Sequence, residues 1–98
     1  MSVVNLGEVY YRAMQQRADA VRALEWVDKS SIEIVDASRT LTLAAARLKA
    51  RFRMSYADCF AAALAQRLGA TVVTGDPEFR EVEHLIDIEW LPPPKRRR

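Results

Sequence analysis

The stretch MSYADCFAAALAQRLGATVVTGDPEF, residues 54–79, contains a helix, its stop signal, a strand and a turn in that order. Tyr56, Phe60, Ala63 or Leu64, and Leu68 recur at helical spacing behind Ser55, a residue type that caps helix N-termini. Gly69 stands where the helix would end in a left-handed residue, and the alanines allow close packing against a sheet. Thr71, Val72 and Val73 then read as a short apolar strand, and Gly75, Asp76 and Pro77 as an abrupt turn. A short helix fits Pro77 to Glu83, and IDIEWL, residues 86–91, is the last strand candidate.

Upstream, Leu6, Val9, Tyr10, Ala13 and Met14 predict a helix from about Leu6 to Arg17. A second helix over Ala18 to Val27 would direct Val21, Leu24 and Trp26 or Val27 to the core, with Asp19 as its cap. SIEIVDA, residues 31–37, alternates Ile32 and Ile34 with Glu33 and Asp36 and predicts a strand ending near Asp36. Leu41, Ala44, Ala45 and Leu48 trace a third helix that Thr40 or Thr42 would cap. This order predicts an α/β fold: a parallel sheet of about three strands flanked by helices, with the early strand-to-helix turns at its carboxyl edge, where α/β proteins bind ligands.

The 98 residues, half of them apolar, suit one domain over residues 1–91, followed by a basic mobile tail, PPPKRRR, over residues 92–98. Four of the fifteen basic residues are Lys95, Arg96, Arg97 and Arg98. Residues 1–94 therefore hold eleven bases against thirteen acids, a net −2, and the body is not a general polyanion-binding surface. A lone cysteine, Cys59, excludes an intrachain disulfide or a cysteine zinc cluster and reads as a small core residue. There is no charged-then-apolar leader and no apolar run near the roughly 20 residues that span a bilayer, so the expectation is a cytoplasmic protein with no membrane partner.

Three carboxylates stand out by context: Glu8 in an apolar stretch, Asp58 in an alanine-rich helix and Asp76 at the end of an apolar strand. Each also has a local explanation. Glu8 suits the first turn of a helix, where the dipole favours negative charge. Asp58, three residues after Ser55, suits a capping box, and Asp76 suits a turn beside Gly75 and Pro77. Brought together, the three would repel one another, and a bound Mg²⁺ or Mn²⁺ would offset that repulsion through hard oxygen ligation. Such an ion activates water for attack on phosphorus and stabilises the leaving oxygen.

MSVVNLGEVYY, MSYADCFAAALAQRLGATVVTGDPEF and EVEHLIDIEWL resemble successive parts of a PIN-domain protein, most closely of the VapC toxins of toxin–antitoxin pairs. The resemblance implies a three-layer sheet-and-helix fold and a metal-dependent endoribonuclease acting on structured RNA, with a cognate antitoxin as partner. It implies Glu8, Asp58 and Asp76 as metal-binding and catalytic residues, Thr74 and Glu78 beside them, and Asn5 and Ser55 in support by hydrogen bonding. The family ordinarily opens with a central strand ending in a further metal-binding aspartate, which has no counterpart here; Asp36 follows a later strand. The expectation is an N-terminally truncated sheet whose open edges self-association would cover. The alternative is a catalytically inactive interaction module that binds an antitoxin or itself.

Arg12, Arg17, Arg47, Lys49, Arg51, Arg53 and the tail are either a solvated face or phosphate contacts around the acids. Trp26, Trp90, Tyr10, Tyr11 and Phe79 are read as packing residues, and His84 as structural or surface.

Overall fold

The computed structural model describes residues 1–92. Four helices, α1 (Val3–Gln15), α2 (Ala20–Lys29), α3 (Arg39–Arg51) and α4 (Tyr56–Leu68), precede strand β1 (Thr71–Thr74), a 3-10 helix (Pro77–Val82) and strand β2 (Asp87–Trp90). Of the tail expected over residues 92–98, all but residue 92 lies outside the described residues.

Helix α4 is the centre of the molecule. Cys59, Phe60, Ala62, Ala63, Leu64 and Ala65 are all buried, and the small ones, Cys59 and the three alanines, let neighbouring elements approach closely. Ser55 caps its N-terminus, and Gly69 ends it at φ +60°, as the residue types predict. Gly69→Ala is expected to cost about 1 kcal/mol, because a left-handed backbone disfavours a side chain while alanine restricts the unfolded chain. An added Cβ meets nothing within 4 Å, so backbone conformation alone sets this effect. A urea titration showing no loss would contradict it.

Helix α3 packs Leu41, Ala45 and Leu48 against this centre from one side. Its cap is Ser38, whose Oγ accepts the N–H of Leu41 at 3.1 Å, and not Thr40 or Thr42, which already lie inside the helix. Asp19 caps α2 as expected, accepting the N–H of Arg22 at 3.0 Å. Helix α1 starts at Val3, three residues earlier than its apolar spacing predicts, because Ser2 caps it. Helices α1 and α2 form a peripheral hairpin: α1 has no fully buried residue and α2 has only Val27. Of the alternatives Trp26 and Val27, Val27 is buried while Trp26 is 67% exposed; Val21, also expected in the core, is 60% exposed, and Tyr11 is exposed as well.

Strands β1 and β2 pair in parallel, from Thr71 opposite Asp87 to Thr74 opposite Trp90, with the 3-10 helix crossing between them. The sheet has these two strands among the described residues. The strand expected over residues 32–36 is reduced to one parallel bridge between Val35 and Ser2. Val3 donates to the Val35 carbonyl at 2.8 Å, and Val35 donates to that of Met1 at 2.9 Å. Two apolar residues on one face are too few to hold a longer strand without a neighbour on each side.

A groove of about 430 Å³ is lined by β1, by Met1, Ser2 and Asn5, and by the Ala61, Leu64, Ala65 and Leu68 face of α4. The edge of β1 away from β2 has no strand partner among the described residues. No helix among them is long and apolar enough to cross a membrane.

Candidate metal centre

Asp58, Asp76 and Glu78 converge, each offering a carboxylate oxygen within 4.8 Å of the other two. Their convergence follows from chain geometry. Asp58 lies in the first turn of α4, while β1 delivers Asp76 at its carboxyl end. Pro77, whose fixed φ suits a first helical position, starts the 3-10 helix there and brings Glu78 around beside Asp76.

The backbone of each acid is held. Asp58 donates its N–H to Ser55 Oγ at 3.2 Å, Asp76 to Thr74 Oγ1 at 3.0 Å, and Glu78 to Asp76 Oδ1 at 2.9 Å. Asp76 is therefore also the cap of the 3-10 helix, as a turn residue would be. Asn5 donates from Nδ2 to the Ala57 carbonyl at 2.9 Å and accepts from the Ser2 hydroxyl, tying α1 to the turn that carries Asp58. Asn5 and Thr74 thus act on backbone positions next to the acids.

Glu8 lies outside the three-acid group and pairs with Arg12 at 3.5 Å. With α1 beginning at Val3, it sits in the second turn, beyond the reach of the N-terminal dipole. Its charge still reaches the cluster. Burial pushes the Asp58 carboxyl up to about 6, the Ser55 hydroxyl opposes this, and the negative charges of Asp76, Glu78 and Glu8 add to the rise. A carboxylate so placed gains from a nearby cation.

Other residues singled out in the sequence have structural roles. Phe79 and Cys59 are buried, and His84 packs edge-on to Phe52 with ring centroids 5.9 Å apart. Lys49 donates to the Met54 carbonyl at 2.7 Å, and the Arg80 guanidinium lies 5.7 Å from the centre of the half-exposed Trp90 ring. By residue pattern alone Glu78 ranks behind Glu8, Asp58 and Asp76. The spacing of Asp76, Pro77 and Glu78 directly after a strand was the signal for a second acid at the same corner.

The chain matches the PIN domain family over residues 1–85, and it belongs to that family. Searches of curated proteins and of solved structures give no match. The donor set fits the divalent ion that the family implies. All three groups are carboxylates, the ligands of hard cations, and such ions complete their coordination with water.

Proposed function

We propose that this chain is a metal-dependent endoribonuclease of the VapC toxin type, hydrolysing phosphodiester bonds in structured RNA. The observation that supports this reading most is the convergence of Asp58, Asp76 and Glu78 at the end of β1 in a PIN-family chain. Glu8, Asp58 and Asp76 would hold Mg²⁺ or Mn²⁺, with Glu8 reaching the other two from α1, where it pairs with Arg12. Such an ion supplies an activated water and neutralises charge on the leaving oxygen. Thr74, Ser55 and Asn5 keep the carboxylates oriented through the backbone bonds described above.

The same reading includes a three-layer PIN-like order, for which the parallel Ser2–Val35 bridge beside the β1–β2 pair is the supporting observation. It also includes a single domain over residues 1–91, a cytoplasmic setting, a cognate antitoxin and self-association.

The test is cleavage of a panel of purified structured RNAs with Mg²⁺ or Mn²⁺. Discrete cuts are expected that vanish with a chelator and fall by at least about 100-fold in Asp76→Asn, more than the loss typical of an outer-shell partner. Glu8→Gln is expected to slow cleavage by a smaller factor. Cutting that persists in chelator, or unchanged in Asp76→Asn, would overturn the mechanism.

A second reading, an inactive module that binds an antitoxin or itself, is favoured by the unpartnered β1 edge beside the apolar groove. A single monomeric species by sedimentation, together with metal-dependent cutting, would count against it.

A further inference from the structure

Glu78 makes a bond that no local helix signal explains. Its Oε1 accepts the backbone N–H of Ser55 at 2.6 Å, although 23 residues separate the two in sequence. Ser55 is the cap of α4, and Asp58 occupies the third helical position. In a capping box the acid at that position would reach back to the N–H of the capping residue. Here half of the box is present, with Ser55 Oγ accepting the N–H of Asp58, while the acid that takes the N–H of Ser55 comes from the 3-10 helix instead.

We infer that Glu78 is a positioning residue that completes the cap of α4 from outside the helix, releasing the Asp58 carboxylate from capping and locking α4 to the turn that carries Asp76. Glu78 is bonded to both halves of the site. It donates its own N–H to Asp76 Oδ1 at 2.9 Å and accepts from Ser55 on the other side. A bond to an ionised acceptor at this length is among the stronger ones a backbone N–H makes. The distance between Asp58 and Asp76 is thereby set by one side chain as well as by the packing beneath it. The role in cation binding rests on the proposed metal centre; the clamp itself does not.

Glu78→Gln and Glu78→Ala separate the bond to Ser55 from the charge of the carboxylate. Both remove the charge, but only glutamine keeps an oxygen that can accept from Ser55. Exchange of the Ser55 amide in the metal-free protein is expected to stay within about threefold of the parent in Glu78→Gln and to become about tenfold faster in Glu78→Ala. Unchanged exchange at Leu64, buried in the middle of α4, shows that both variants remain folded. The dissociation constant for Mn²⁺, measured by calorimetry, is expected to be about tenfold higher in Glu78→Ala than in Glu78→Gln, a loss typical of outer-shell partners.

Equal Ser55 exchange in the two variants overturns the clamp. Equal Mn²⁺ affinity with the exchange difference intact overturns its positioning role. If the parent protein took up no Mn²⁺, the metal centre would fall, and the exchange comparison would still decide on the clamp.

Discussion

Asp58→Asn is expected to weaken Mn²⁺ binding and metal-dependent RNA cleavage by at least about 100-fold, beyond the 10–100-fold typical of residues that only support a ligand. Asparagine keeps the shape and one carbonyl oxygen but loses the charge that a hard cation needs. The same substitution is expected to stabilise the metal-free protein at pH 7.5. In the folded chain the Asp58 carboxyl is raised from its ordinary 3.8 to about 6, chiefly by burial and then by its acidic neighbours. Between those values the native state binds more protons than the unfolded state, so stability falls as pH rises through that window. Above it the parent protein bears the full penalty of an ionised, partly buried acid, and the asparagine variant does not. Urea midpoints should therefore favour Asp58→Asn at pH 7.5 and converge below about pH 4. Equal midpoints at pH 7.5 would show that burial and crowding leave this carboxylate unpenalised. Loss of function combined with a gain in stability is the expected signature of a group retained for binding.

Phe79→Ala is expected to destabilise the chain by about 3–5 kcal/mol, the range for emptying a buried aromatic site. Phe79 is 4% exposed and packs in the same cluster as Phe60, Leu64 and Val82. At about 4–8 °C per kcal/mol for a domain of this size, the melting temperature should drop by at least about 12 °C. Circular dichroism on heating measures this, and a drop under about 3 °C would mean that the ring contributes little to the core. The position also ties packing to chemistry. Phe79 follows Glu78 in the 3-10 helix, so its ring holds both the Asp76 cap and the Glu78 bond to Ser55 against the core. Phe79→Leu, which keeps an apolar side chain in the site, should leave a smaller cavity and lose less.

Most helices were legible because their signals are local. Ser55 and Gly69 bound α4 through bonds made within one turn, and Asp19 caps α2 for the same reason. Helix α1 begins at Val3, before its predicted start, because the hydroxyl of Ser2 accepts the N–H of Asn5 and caps a turn that Val3 and Val4 open. The cap of α3 moved to Ser38 because either threonine would have shortened a helix that its backbone can extend. SIEIVDA has the alternation of a strand, yet a strand needs a neighbour, and among the described residues only Ser2 supplies one. Trp26 fits a core pattern by spacing, but α2 packs mainly on a helix that is itself peripheral, so the ring remains in solvent.

The sequence by itself determined the helical order, the parallel strand around TVVT, the family, and the carboxylates Glu8, Asp58 and Asp76 as the acids to watch. These follow from capping chemistry, periodicity and motif, all of which act over a few residues. Only the tertiary structure decided that Glu78 joins Asp58 and Asp76 within 4.8 Å, that Glu8 stands one step outside them with Arg12, and that Glu78 caps a helix distant in sequence. The physical reason is that the separation of side chains on different elements is set by how α4, β1 and the 3-10 helix pack around Phe79, and no local signal encodes that distance.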